Sequence, residues 1–384
     1  MHIFIMSAAC AFAIASLYYN QPLLPLIGDT FGAAPSMTSL VVMFGQIGYA
    51  LGLLLFVPIG DRVERRRLIL ALLSANSLSL LACAFAPNFT LFAIATVLAG
   101  LTNVTPQIII PTIVGQAPKL TRGRTVGFLL AGMSTGILVG RTLSGFVGGA
   151  LGWQSVFMMA GGVNVILAIT IWRRLPVTEP TTREPYAALM GSLWTLLKAQ
   201  PALRTACAAS FVAFAGLTAV WASLAPLLAQ PPYGFGAQVA GLFGLIGVLS
   251  IVTAPAVGGL IDRFGSKLMT RAGLTTIIVA YGCVAFGGIT LWPILVGLIL
   301  IDFGCRFVMI SNQTIIYPLQ ADAHSRLNTL LMCSAFFGGA VGSAIGAVGA
   351  GLAGWAGLGL VSAALAAMGL IVHELRTRSP RPAA

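Results

Sequence analysis

The chain has 384 residues, is 58% hydrophobic and only 8% charged, and contains 45 Gly at a mean hydropathy of +0.96. Soluble domains carry about a quarter charged residues, so this composition excludes a soluble globular protein and points to an integral membrane protein. The net charge of +12 sits in short basic loops, not in a basic domain, which excludes nucleic acid as a partner and leaves anionic lipid headgroups as the simplest one.

Apolar runs of about 20 residues, each enough to cross a bilayer core of about 30 Å, predict an all-α membrane protein. Twelve transmembrane helices are read near residues 3–26, 37–58, 67–86, 89–113, 124–149, 153–172, 204–228, 236–258, 268–289, 292–317, 326–350 and 355–372. An outer-membrane barrel would show short alternating segments instead. The first run lacks Lys or Arg before it and leads into Tyr18-Tyr19-Asn20-Gln21-Pro22, not a small-residue cleavage site, so it reads as a retained helix. All Lys and Arg except Arg141 and Arg306 fall on one side: Arg62, Arg65, Arg66 and Arg67; Lys119, Arg122 and Arg124; Arg173 and Arg174; Arg183, Lys198 and Arg204; Arg263, Lys267 and Arg271; Arg326; Arg376, Arg378 and Arg381. Membrane proteins carry such excess on the cytoplasmic face, which places both termini inside a bacterial inner membrane. Trp153, Trp172, Trp292 and Trp355 fall at span ends and read as interface anchors. The six Cys lie in spans without a CxxC pair or a His cluster, which favours packing roles over disulfides or zinc.

The chain repeats itself at an offset of about two hundred residues. Pro22-Leu23-Leu24 ends span 1 and Pro226-Leu227-Leu228 ends span 7; Asp61-Arg62 follows span 2 and Asp262-Arg263 follows span 8. Gly132, Gly136, Gly140 and Ser144 form a small-residue ladder in span 5, matched by Gly338, Gly342, Gly346 and Ala350 in span 11. Such ladders let helix backbones approach closely, and their duplication favours sliding seams between two bundles over generic packing. Two pseudo-symmetric six-helix bundles, 1–172 and 204–384, are therefore expected, an arrangement known among transporters. Residues 173–203 form the linker, and Leu189, Met190, Leu193, Trp194, Leu196 and Leu197 predict a short helix lying in the inner interface.

The loop Val57-Pro-Ile-Gly-Asp-Arg-Val-Glu-Arg-Arg-Arg67 resembles the signature G-x-x-x-D-R-x-G-R-R of the major facilitator superfamily. Its second copy, Gly258-Gly-Leu-Ile-Asp-Arg-Phe-Gly-Ser-Lys267, keeps both glycines, which Val57 and Glu64 replace in the first. The stretch Leu17–Leu24, together with Ser311-Asn-Gln313 and Arg326-Leu-Asn328, is similar to the bacterial drug- and sugar-efflux proton antiporters. Two departures stand out. Thr96 occupies the place of that branch's fourth-span Arg, and in the fifth-span motif G-x-x-x-G-P-x-x-G-G Arg141 replaces Pro and Ser144 replaces one Gly. The resemblance implies alternating access between two halves. Asp61, Arg62, Arg66, Asp262 and Arg263 would form the inner gating latch through charge-assisted hydrogen bonds that release in the opposite state.

No catalytic constellation and no phosphate-binding Gly-Lys-Ser/Thr loop appears, so neither an enzyme nor an ATP-driven pump is expected, and no cofactor or metal. The intramembrane polar residues remain, and a charge at mid-bilayer costs ~3 kcal/mol or more. Asp302, the carboxylate within a span, sits four residues before Arg306 on one helix face; the two form either a self-neutralised pair or a proton carrier with its tuning cation. Arg141 either has a structural partner on another helix, with Asp302 a candidate, or binds an anionic group of the substrate. Asn20, Gln21, Asn103, Gln107, Asn312 and Gln313 are expected to face the cavity, some of them bridging helices, while Tyr18, Tyr19 and Trp221 offer aromatic walls. The reading that results is a monomeric transporter that exports a drug- or sugar-like molecule in exchange for protons. Asp302 carries the proton, and Arg141, Arg306, Asn20, Gln21, Tyr19, Asn103, Gln107, Asn312, Gln313 and Trp221 line the substrate path. The alternative is an organic-anion exchanger that uses the two intramembrane Arg without proton coupling.

Overall fold

The computed structural model describes residues 2–118, 121–180, 182, 184–320 and 323–378; Lys119, Arg183 and Arg381, and the side chain of Arg378, lie outside that description. Regular structure among the described residues is helical. The helices are α1 His2–Ala15, α2 Leu24–Phe31, α3 Pro35–Ile59, α4 Arg65–Ala84, α5 Phe89–Thr102, α6 Thr105–Gln116, α7 Arg122–Leu151, α8 Trp153–Arg174, α9 Tyr186–Ala199, α10 Pro201–Leu228, α11 Ala237–Leu242, α12 Gly247–Phe264, α13 Ser266–Ala285, α14 Leu291–Ile316 and α15 His324–Arg378. Among them, 9 segments are long and apolar enough to cross a bilayer. α15 crosses twice, folding back at Ala353 and at Gly354 (φ 57°), whose left-handed backbone needs glycine. Two further crossings are interrupted, α1 with α2 and α11 with α12, which completes the twelve.

Three spans read as continuous are broken, and proline explains two of the breaks. Helical bonding stops at Ala15 and resumes through a 3₁₀ turn at Gln21–Leu23, where Pro22 and Pro25 withhold backbone donors. The fourth crossing breaks at Asn103 and Val104, just before Pro106. Proline removes the bond to the carbonyl four residues back and crowds it, and lipid offers no water to compensate. The eighth crossing passes through a 3₁₀ stretch at Phe243–Ile246. Gly241, Gly244 and Gly247 recur there every third residue, matching three residues per turn. Cβ atoms at these positions would press on the Arg141 carbonyl and the Arg141 and Leu138 side chains of α7, and Thr142 Oγ1 donates to the Gly241 carbonyl at 3.1 Å.

By compactness the chain forms two units: Met1–Met190 with Leu224–Ile251, and Gly191–Ser223 with Val252–Ala384. In the first unit the ladder of α7 seats on α1, where Cβ atoms at Gly132, Gly136 and Gly140 would meet Ser7, Ala11 and Ala15. In the second, the ladder of α15 seats on α10, with Gly338, Gly342 and Gly346 against Phe211, Ala215 and Ala219. The ladders are therefore seams inside each unit and not sliding surfaces between bundles, because backbone on the first helix of the same unit already fills each step. The expected linker helix is present as α9. Its Tyr186 hydroxyl donates to the Leu55 carbonyl at 3.1 Å in the first unit, and Leu196 enters a core with Leu203, Ile316 and Leu327 in the second. Trp172 and Trp292 are exposed as anchors should be, but Trp153 and Trp355 are buried. Trp153 packs among Phe31, Phe92 and Phe157 and donates to Thr30 Oγ1 at 2.9 Å, and Trp355 covers Gly287.

Gly136→Ala and Gly342→Ala each place a methyl carbon about 2 Å from a backbone carbonyl oxygen, of Ala11 and Ala215 respectively. Overpacking of this kind costs ~1–3 kcal/mol or more, which outweighs the roughly 1 kcal/mol gained in helix propensity. Both variants should melt below the parent in detergent, whereas Gly162→Ala, with open space around its Cβ, should melt at or above it.

Candidate functional site

The break in the first crossing positions a polar cluster. Unwinding after Ala15 turns Tyr18, Asn20 and Gln21 into the first unit, where all three are buried. Arg141 of α7, also buried at 7% exposure, directs Nε to Gln21 Oε1 at 2.7 Å. Its guanidinium lies 5.0 Å from the centroid of the Tyr18 ring, within the range of a cation–π contact. A guanidinium in lipid is tolerated only when its donors are met, and this cluster begins to meet them with a neutral amide and an aromatic face. The cluster packs beside the Gly241–Gly247 stripe.

Tyr19 points the other way. With Phe4, Phe12, Phe128, Val139 and Leu143 it lines a cavity of about 530 Å³ along α1 and α7, and its ring lies against Gly140. The polar groups on this wall are few: the hydroxyls of Ser7, Thr135 and Tyr19, the first of which already donates to the Phe128 carbonyl. The cavity is thus apolar over most of its length, and Gly140 and Leu143 of its wall bracket Arg141, whose side chain turns away to Gln21 and Tyr18.

Asn103 lies at the fourth-crossing break and is buried, while Gln107 one turn on is half-buried and donates to the Tyr49 hydroxyl at 3.4 Å. Deeper still, Asn164 donates to Asn76 at 2.7 Å, and Asn76 donates to the Ala99 carbonyl at 2.6 Å and to Thr102 at 3.0 Å. This network ties α8, α4 and α5 together. Sequence reasoning passed over Tyr49, Asn76 and Asn164, although amides inside apolar runs were the signal that found Asn20 and Asn103.

In the second unit, Asp302, Arg306 and Gln313 share one half-buried stripe of α14. Asp302 and Arg306 lie one turn apart on it, with Cys305 between them in sequence. Asn312 lies on the adjacent, buried face, where its amide donates to the Ala206 carbonyl at 3.0 Å and to Ser210 Oγ at 2.8 Å. It ties α14 to α10, while Gln313 keeps company with the charges. Trp221 is buried within α10.

The two acidic loops differ. Asp61 accepts from Arg65 at 2.8 Å within its own turn, Arg65 also reaches the Gly60 carbonyl, and Arg66 donates to the Leu175 carbonyl at 3.4 Å. Arg62 is exposed, as are Asp262 and Arg263, and Arg263 lies over the Phe264 ring. Glu64 has φ −60°, so the first loop has no need of the glycine that the second uses at Gly265 with φ 83°.

The family model described as Major Facilitator Superfamily matches residues 5–326. The chain belongs to the Major Facilitator Superfamily. It is 36% identical to the uncharacterized transporter YgaY of Escherichia coli O157:H7 over 370 residues, 96% of this chain and 94% of that protein. It is 33% identical to the Streptomyces coelicolor protein named "Probable transporter SCO4007" over 367 residues, 95% of this chain and 85% of that one. The crystal structure of the nucleoside transporter NupG (D323A mutant) superposes with a TM-score of 0.78 at 14% identity, covering 98% of this chain and all of the other. The last likeness speaks to the fold alone; the family match and the transporter relatives make this a multi-pass membrane transporter of the superfamily.

Removing Gln21 should expose how far Arg141 relies on it. Gln21→Leu keeps the volume but removes the acceptor, and stranding a buried donor costs ~1–3 kcal/mol, more for a charged one. The variant should melt several degrees below the parent, and Gln21→Glu, which restores an acceptor, should recover most of the loss.

Proposed function

We propose that this superfamily member exports a small, mainly apolar organic molecule in exchange for protons, working by alternating access as a monomer in the bacterial cell membrane with both termini cytoplasmic. The cavity along α1 and α7 carries the reading. Its volume of about 530 Å³ lies in the range of drug-sized sites, and its walls of Phe, Val and Leu favour an apolar body. A sugar would lose most of its hydroxyl hydrogen bonds on entering such a wall, so the drug-like end of the efflux range is preferred. The direction of flux rests on the efflux-like residues of Leu17–Leu24 and Ser311–Gln313, and the orientation on the one-sided distribution of Lys and Arg.

Asp302 is assigned the coupling proton. A mid-span carboxylate that is charged in one state and neutral in the other lets a proton gradient bias the two conformations by its differential interaction with each. Arg306, one turn along the same stripe, tunes it, and Gln313 completes a polar track on α14. Arg62, Asp262 and Arg263, exposed at the inner loops, act as the latch, while Asp61 with Arg65 and Arg66 holds the first of these turns. Asn20, Asn103 and Asn312 serve the scaffold around this path more than the substrate itself.

A second reading has its own observation. Arg141 and Arg306 place two guanidinium groups within the crossings, and a guanidinium matches the carboxylate or phosphate of an amphipathic anion. On this reading the protein exchanges organic anions without protons.

In everted vesicles or proteoliposomes, Asp302→Asn should bind substrate and melt like the parent yet fail to move substrate in response to a pH gradient. Retained proton-driven flux would remove Asp302 from the mechanism. A thermal-shift screen of anionic, neutral and cationic compounds on the parent and on Arg141→Ala separates the two readings: anionic stabilisers lost in the variant favour exchange, and neutral or cationic ones that persist favour efflux.

A further inference from the structure

Between the breaks in the first and fourth crossings lies a buried cavity that neither transport reading uses. Ser16 and Asn20, Gly45 of α3, Cys83 of α4, and Thr96 and Asn103 wall a volume of about 10 Å³, close to the smallest that holds one water molecule. Asn20 and Asn103 are 5% and 3% exposed. Oδ1 of Asn20, an acceptor, and Nδ2 of Asn103, a donor, have no hydrogen-bond partner. Nearly all such buried groups in proteins are met by protein or by ordered water.

The pair of orphans defines the ligand. A cation is unsuited, because Asn103 presents N–H groups. An apolar group would leave both amides unmet. Water fits both, donating to Asn20 Oδ1 and accepting from Asn103 Nδ2. We propose that the cavity holds one fixed water that bridges Asn20 to Asn103 and pins the two broken crossings together. Proline takes backbone donors from both crossings at this depth, so the water supplies a tie that continuous helices would not need. It also fixes the segment whose next residue, Gln21, holds Arg141. The inference concerns the scaffold and stands whichever substrate is carried.

X-ray radiolysis of the full chain in detergent tests it directly, since the radicals arise from water and a buried thiol is oxidised only where water lies against it. Cys83 and Cys10 are both fully buried at 0% exposure, but only Cys83 lines the cavity. Cys83 should be labelled several-fold faster than Cys10. In Gly45→Ala the new methyl would sit 3.6 Å from Leu17, 3.7 Å from Thr96 and 4.0 Å from the Asn20 amide, ordinary contacts that allow folding while occupying the cavity. Labelling of Cys83 should then fall to the rate of Cys10. Gly45→Ala should also melt below Gly162→Ala, which gains the same helix propensity in open surroundings. Equal labelling of the two thiols in the parent overturns the proposal, and so does a Gly45→Ala melting point at or above that of Gly162→Ala.

Discussion

Close approach of backbones is the constraint on which the rest of this molecule depends. Lipid tails are as apolar as Leu, so helices in a bilayer associate through packing and not through the hydrophobic effect. Here that packing is concentrated in two ladders, α7 on α1 and α15 on α10, each stepping four residues at a time with glycine against backbone. Both seams join the first and fifth crossings of a repeat, so one device recurs at the same place in each. Everything polar hangs from this frame. Arg141 belongs to the α7 ladder helix, Tyr19 faces its neighbour Gly140, and the apolar cavity runs along the same two helices.

The frame leaves the polar groups little room for error. A guanidinium, a carboxylate and several amides sit where water is scarce, and each must find its partners inside the protein. The chain solves this locally. Broken helices free the side chains of Asn20, Gln21 and Asn103 to turn inward, and the Asn164–Asn76–Thr102 network joins three helices through two amides and a hydroxyl. The consequence for function is separation of tasks. One face of the first crossing, at Tyr18 and Gln21, holds Arg141, while the neighbouring Tyr19 looks into the cavity.

Much of this was legible in the sequence, and the reasons are physical. Hydropathy located the crossings because a bilayer demands a fixed length of apolar chain, the ladders marked the repeat, and the paired signature loops pointed to the family. What stayed hidden depends on rotation and contact. Asn312 and Gln313 are adjacent and equally polar, yet one ties α14 to α10 and the other lies on the Asp302 stripe; a single residue step of about 100° on the helix decides it. Asp61 was expected in an inner latch with Arg62, Arg66, Asp262 and Arg263; Arg65, outside that set and four residues on, donates to it at 2.8 Å. The ladders predicted close packing correctly and their partner wrongly, since a small-residue stripe carries no mark of which helix it meets. Trp153 sits at a span end like any anchor and is buried only because Phe31, Phe92 and Phe157 gather round it.

The 3₁₀ stretch at Phe243–Ile246 ties the tightness of winding to surface. Its glycines at 241, 244 and 247 face α7 as one row because each residue there advances by about 120° and not the roughly 100° of an α-helix. Rewinding those four residues as α-helix would turn everything beyond them by about 80°. The glycine row would lose its alignment and bulkier neighbours such as Leu242 or Leu245 would swing toward Leu138 and Thr142. Contact with α7 is therefore written in the local winding, so that this short segment works like a screw thread, fitting its seat at one pitch and jamming at the other.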